Sequence, residues 1–364
     1  MARPGYDRKP EVKNSEPPTR AGTENPARVY QRTKSGVVGD RMQILNTDQI
    51  GHDARRFLHP EVGGEVLAAV SKAIYLKTTA GEILWIHGRD SPCHARGLLV
   101  ERIPSLKPGA LFRLQGSTLL LGGSVGIETE RASIWLPPRP NLHALLPLRR
   151  LSGRWIEFTL SFVPRTKPDF GTLMNLIQHR AFPTRFQIPA AKPDPIQYGA
   201  WLQFESMINH CLNKEADGVF ALGEALIGVG NGLTPTGDDY IGGVLFTAHH
   251  MGELYRTLKL FNAEELRTWL ERVRLRTHSI SYAMLSDHAH GSGTETLHHF
   301  LNSFLTEEPI TNVVRYARQL ERLGGSSGGD LMAGVLSGIL FAFSPSFVMQ
   351  RASLERVAPV KNGR

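Results

Sequence analysis

Cysteine is nearly missing from this chain of 364 residues: only Cys93 and Cys211 occur, far apart and outside any Cys-x-x-Cys pattern. A disulfide framework and a cysteine-rich zinc site are therefore not expected, and a reducing cytoplasm fits. Long apolar runs are missing too. No stretch reaches the roughly 18 apolar residues of a membrane span, and no apolar run follows the first basic residues as in a secretory signal. The phosphate-cradling Gly-Lys-Ser/Thr step, the His-Glu-x-x-His zinc spacing and a Ser-His-Asp order with a nucleophile elbow are also absent.

Negative charge is in short supply, with 34 Asp and Glu against 42 Lys and Arg, for a net charge of +8. Half of that excess lies in residues 1–36, which hold eight Lys/Arg, four Asp/Glu, five prolines and no Leu, Ile, Phe or Trp. Such a segment cannot bury enough apolar surface to order itself and reads as a disordered tail. Its basic residues are scattered, so no specific nucleic-acid partner is expected. The remainder has a globular balance, 41% hydrophobic and 21% charged overall, at a length suited to two domains.

Residues 37–165 read as an antiparallel β-rich domain. Ala73–Thr79 and Ile83–His87 flank Ala80, Gly81 and Glu82, and Leu111–Gln115 and Thr118–Leu121 flank Gly116 and Ser117, two hairpin signals. Ala132–Leu136 runs into Pro137 and Pro138, where a strand must stop or lie at an edge, and Trp155–Phe162 alternates like a further strand. Residues 164–195 read as a connection with a helix at Gly171–Arg180. From there to residue 350 the pattern is helical, over Trp201–Leu212, Val219–Leu226, Tyr240–Leu258, Ala263–Arg274, Ile280–Leu285, Thr294–Leu305, Ile310–Leu323 and Leu331–Phe343. A flexible tail, 351–364, closes the chain. The fold class is α+β, a β domain followed by a helical one.

A short internal repeat stands out. Thr236–Leu245 lines up with Ser327–Leu336 at an offset of 91 residues, with five of ten positions identical and Thr paired with Ser at the first. Each copy follows a Gly-rich loop and opens an apolar helix, giving two pseudo-repeated loop–helix elements. Thr236 and Ser327 stand where N-caps belong, with Asp239 and Asp330 three residues on in capping-box positions. Gly243 and Gly334 would let the two helices approach closely. Asp238 is not needed for a cap, so its carboxylate is expected to be free for chemistry. Helix N-termini preceded by Gly-rich backbone leave unpaired amides, which suit an anion.

The candidate site is therefore Asp238, Asp239 and Asp330 as catalytic groups, with Gly230, Gly232, Thr234, Thr236, Gly237, Thr277, Ser279, Ser327, Gly328 and Gly329 around a small anion. The ligand classes are phosphate, carbamoyl phosphate or a small acid. The two Gly-Asp loops are expected to converge, with the amides near Gly237 and Gly328 within about 10–15 Å, a span that one small dianion can bridge. Asp287, His288 and His290 form the nearest approach to a metal cluster, although a polar helix end accounts for them. Arg89, Asp90, His94 and Arg96 flank Ser91 and Pro92 in a loop of the β domain, either solvated or facing the helical site.

The segment Leu226–Gly243, with Gly228, Gly230, Gly232, Leu233, Thr234, Pro235, Thr236, Gly237, Asp238 and Asp239 in order, resembles the signature of a bacterial family first described as a domain of unknown function. That family includes the AllH-type subunit of oxamate carbamoyltransferase. Arg276, Thr277, Ser279, Ser281, Leu285 and Ala289–Gly291 are similar to its middle segment, and Ser327–Asp330 to its late Gly-rich element. The resemblance implies a subunit that works with other protein chains on carbamoyl transfer between an oxalurate- or oxamate-like acid and phosphate. Two alternatives stay open. One is a phosphotransferase or hydrolase in which Asp238, Asp239 and Asp330 hold Mg2+; the other is a non-catalytic binding or assembly subunit.

Overall fold

Residues 42–164, 173, 176–177 and 195–357 are described by a computed structural model, apart from positions 214 and 259. The basic tail of residues 1–36, residues 358–364 and nearly all of the 164–195 connection, with most of the helix read at Gly171–Arg180, lie outside the described residues, whereas residues 351–357 of the end segment read as a flexible tail are helical.

Nine strands come first: β1 (Gln43–Gly51), β2 (Gly63–Val70), β3 (Ala73–Thr78), β4 (Ile83–Gly88), β5 (Gly97–Val100), β6 (Leu111–Gln115), β7 (Thr118–Leu121), β8 (Val125–Glu128) and β9 (Ser133–Trp135). Both hairpins form where the sequence placed them, with Gly81 and Gly116 at φ of 90° and 60° in their turns. The strands pair in the order β5-β4-β3-β2-β6-β7-β8-β1-β9, and β1 also pairs with β5. Eight strands thus close into a barrel, and β9 hangs on β1 as an edge. Period-two alternation sends Ile74, Leu76, Leu84, Ile86, Leu98, Phe112, Leu119 and Ile127 inward, so the interior is an apolar core, not a channel.

The expectation of an antiparallel domain needs correction. β1 runs parallel to β8 and to β9, and β4 parallel to β5. The cause is non-local. β1, the first strand, returns beside strands formed about 80 residues later, and the loop between β4 and β5 leaves the barrel to meet the helices before coming back.

Ten α-helices are described: α1 (His52–Phe57), α2 (Leu148–Ser161), α3 (Pro195–Asn213), α4 (Ala216–Leu226), α5 (Thr236–Leu254), α6 (Ala263–Val273), α7 (Ser279–Ala289), α8 (Glu295–Leu305), α9 (Ile310–Leu320) and α10 (Ser327–Val357). The strand read over Trp155–Phe162 is instead the end of α2. Leu151, Trp155, Phe158 and Phe162 are fully buried at spacings of four, three and four, a helical stripe that joins the helical core. Alternation over eight residues had hidden that longer period.

α5 and α10 lie against each other at the centre of the helical region. A Cβ on Gly243 would lie 2.9 Å from the Gly334 Cα, and one on Gly334 would run into the Tyr240 carbonyl. The missing side chains thus set the closeness of the pair. Among the described residues no helix is long and apolar enough to cross a membrane.

Candidate functional site

Close packing of α5 and α10 brings their first turns together. The Thr234 and Ser327 hydroxyls are 2.9 Å apart, which joins the turn before α5 to the first residue of α10. The two Gly-Asp loops therefore converge as expected.

The expected capping does not occur at α5. Pro235 is its N-cap, no side chain caps it, and Thr236 is already its first residue. The amides expected to be unpaired are also occupied. Gly237 donates to the Val229 carbonyl at 2.8 Å, Gly328 to Leu323 at 3.1 Å and Gly329 to Ser326 at 2.9 Å. Their glycine identity has a packing cause: a Cβ on Gly237 would overlap the Leu226 carbonyl, and one on Gly328 the Leu320 carbonyl. In the preceding turn Gly228, Gly230 and Gly232 adopt φ of 81°, 122° and 96°, which favour glycine. Gly230 lies against the Thr236 amide, whereas Gly232 faces open space.

Asp238 is not free. Its Oδ1 accepts from the Gly228 amide at 2.6 Å, and its Oδ2 accepts from the Ser281 hydroxyl at 2.5 Å and from the Thr277 hydroxyl. One carboxylate thus ties the glycine turn to α5 and to the start of α7. Ser281, unnamed among the candidate residues, is one of the two hydroxyls that donate to Asp238. Ser279 is exposed at the first position of α7.

Asp239 has the opposite surroundings. It is 3% exposed, and its Oδ2 is buried with no hydrogen-bond partner. Burial pushes its carboxyl well above the usual carboxylate range. The Ser327 and Thr234 hydroxyls oppose that shift, while the charges of Asp330 and Asp238 add to it. Asp330, in the first turn of α10, is 4% exposed. Thr234 and Ser327 are only half-buried, so the cluster is reachable from one side. Among the described residues no group of three or more His, Cys, Asp or Glu stands where it could share a metal ion. Both oxygens of Asp238 already accept internal hydrogen bonds.

The barrel meets the helices beside this cluster. Arg96, just before β5, makes two 2.6 Å bonds to Asp287 of α7, both residues being largely buried. The Glu295 amide donates to the Cys93 carbonyl at 2.8 Å. Arg89, by contrast, pairs with Asp48 on the surface. The loop 89–96 faces the helices, as one of its two readings held, but its cation meets a protein carboxylate.

His94 is buried against Trp85, with ring centroids 4.5 Å apart, and burial holds it far below the usual histidine range. His288 is 1% exposed, neither of its ring nitrogens has a hydrogen-bond partner, and burial brings its pKa down to about 4. The Asp287–His290 stretch is therefore an ion pair, a buried neutral ring and an exposed helix end, not a metal centre. No motif spacing announced this buried histidine group, because its members come from different elements.

Thr277 and Ser281 thus reach the glycine turn through Asp238, and Ser327 meets Thr234 at its end. No solved structure matches the chain. The stretch that contains both glycine turns, residues 226–339, matches the family model described as oxamate carbamoyltransferase subunit AllH.

Proposed function

We propose that this chain is a subunit of a carbamoyltransferase-type enzyme of the cytoplasm, and that a small acid bearing a carbamoyl or amide group binds where α5 and α10 begin. The observation that carries this reading is the Asp239 carboxyl, buried and with one oxygen unengaged, beside the paired hydroxyls of Thr234 and Ser327. A buried polar atom without a partner is costly and calls for one. An amide N–H donor satisfies a carboxylate oxygen; a bare anion does not. The internal bonding of Gly237, Gly328 and Gly329 moves support away from a backbone-cradled anion and toward a ligand that presents both a donor and an acidic group. In this reading Asp239, Asp330, Thr234 and Ser327 face the ligand. Asp238, Thr277 and Ser281 brace the turn, and the glycines shape it. The two helix starts, Thr236–Leu245 and Ser327–Leu336, act as a duplicated element. Charge that develops during transfer would be stabilised by fixed hydroxyl dipoles out of water.

Partner chains belong to the same reading. β9 is an edge strand, and Ile134 and Leu136 on or beside it are 57% and 65% exposed, a surface suited to another subunit. An assembly subunit without its own chemistry is the second reading, and activity of the isolated chain separates the two.

Thermal melts with phosphate, carbamoyl phosphate and oxamate, each with and without Mg2+, test the proposal. A ligand at a hundred times its dissociation constant should stabilise by about 2.7 kcal/mol. Asp239→Asn should remove that shift. No shift with any small acid, together with a salt-sensitive gain from DNA or RNA, would overturn the proposal.

A further inference from the structure

The turn before α5 packs against the barrel through Leu233, and one outward barrel side chain packs on the same apolar group. In β3 the alternation sends Ile74 and Leu76 into the barrel and leaves Tyr75 on the outer face, toward the helices. Its cross-strand neighbours are Trp85 on one side and Ala68 on the other, and the Tyr75 and Trp85 rings meet edge to face at 6.0 Å. Trp85 packs on Ile280 and Ala283 of α7, and Leu233, the residue before Thr234, lies against the same apolar group as Tyr75. A phenol and the residue before Thr234 thus share one apolar group. Tyr75 is half-buried, and its hydroxyl makes no hydrogen bond with any described residue. Burial raises its pKa, and the charge of Asp239 raises it further.

We infer that Tyr75 contacts the ligand directly: its hydroxyl donates to the carbonyl oxygen of a group whose N–H is held by Asp239. The inference rests on the carbamoyl reading above and adds to it that the barrel, outside residues 226–339, supplies a specificity-determining residue. A planar amide offers one acceptor and one donor on adjacent atoms, and a phenol opposite a carboxyl matches both. Inorganic phosphate has no carbonyl and no N–H, so Tyr75 should discriminate between the two ligand types.

Calorimetric binding of oxamate, carbamoyl phosphate and inorganic phosphate to the whole chain, to Tyr75→Phe and to Asp239→Asn tests this. Tyr75→Phe should weaken the two carbonyl ligands about tenfold, in keeping with one lost hydrogen bond. It should leave phosphate binding and the unliganded melting temperature unchanged. If Tyr75→Phe binds oxamate and carbamoyl phosphate as tightly as the parent while Asp239→Asn loses them, the role of Tyr75 is wrong and the site stands. If the parent binds neither, both the site reading and this inference fall. Ultraviolet titration adds an arm that needs no ligand. The parent should show a phenol, missing from Tyr75→Phe, that ionises above the usual tyrosine range and moves down in Asp239→Asn. A phenol indifferent to Asp239→Asn would also overturn the inference.

Discussion

Asp238 and Asp239 are adjacent in sequence and almost equally buried, yet they answer to different forces. The first accepts three hydrogen bonds, and the second leaves one oxygen unengaged. Asp238→Asn puts an N–H2 or a weaker carbonyl acceptor where donors converge, and should cost about 1–3 kcal/mol of stability. Asp239→Asn replaces a carboxyl that burial already pushes toward its neutral form and should leave folding stability unchanged or raised, while abolishing ligand binding. Denaturant melts of both variants decide between them, and equal loss in the two would make the pair simply structural. From sequence alone the roles were assigned the other way round. The capping-box spacing singled out Asp239 and Asp330, but Pro235 took the cap. The donors to Asp238 come from Gly228, Thr277 and Ser281, which no local pattern ties to it. The Gly-Asp motif itself was legible, because glycines at positive φ, a proline and paired acids leave a mark in a single stretch of sequence.

At the scale of elements, the α5–α10 contact is the joint on which the site depends. Gly334→Ala would drive a methyl group into the Tyr240 carbonyl and should destabilise by about 1–3 kcal/mol or more. Gly153, in the middle of α2, has open space around it. There Gly→Ala should stabilise by about 0.5–1 kcal/mol through helix propensity. Urea midpoints of the two variants should therefore move in opposite directions; a shared direction would mean that the Gly243–Gly334 approach is not tight. The helices were the most readable elements. Eight helical segments read after residue 197 correspond to α3–α10, because each shows helical spacing or, like the almost wholly buried α5, the length of a helix. Barrel closure was not readable, since it depends on β1 meeting β5 and β8, and pairing over such separations leaves no mark within any one strand. Trp155–Phe162 shows the limit, where eight residues satisfied one period by eye and the buried stripe obeyed another.

Across the whole molecule, the seam between barrel and helices is lined with uncharged histidines. Burial holds His87, His250 and His288 at about 4 and His298 at about 3, against an ordinary value of 6.5. As pH falls, the unfolded chain takes up these protons first, so their contribution is full above pH 6.5 and is lost progressively toward pH 4 and below. Each deeply buried ring accounts for up to about 3 kcal/mol of that loss. Asp239 acts in the opposite sense, its contribution falling as pH rises through its elevated pKa. Melting temperatures should therefore drop steeply between pH 6.5 and 4, and His288→Phe should flatten the slope. An unchanged profile would show that His288 is not neutral in the folded protein. The Arg96–Asp287 pair crosses the same seam and joins residues 191 positions apart. During synthesis the eight barrel strands have all emerged by Glu128, but the guanidinium that will be enclosed at the seam has only the longer 3.5 Å contact with Glu82 and not yet Asp287, and Tyr75, Ile83 and Trp85 still face water. A ribosome must add some 160 further residues before α7 arrives to cover them. The nascent barrel is thus a client in waiting: a fragment ending at residue 145 should bind a hydrophobic dye and aggregate where the full chain does neither, and adding residues through 289 should be the step that silences it.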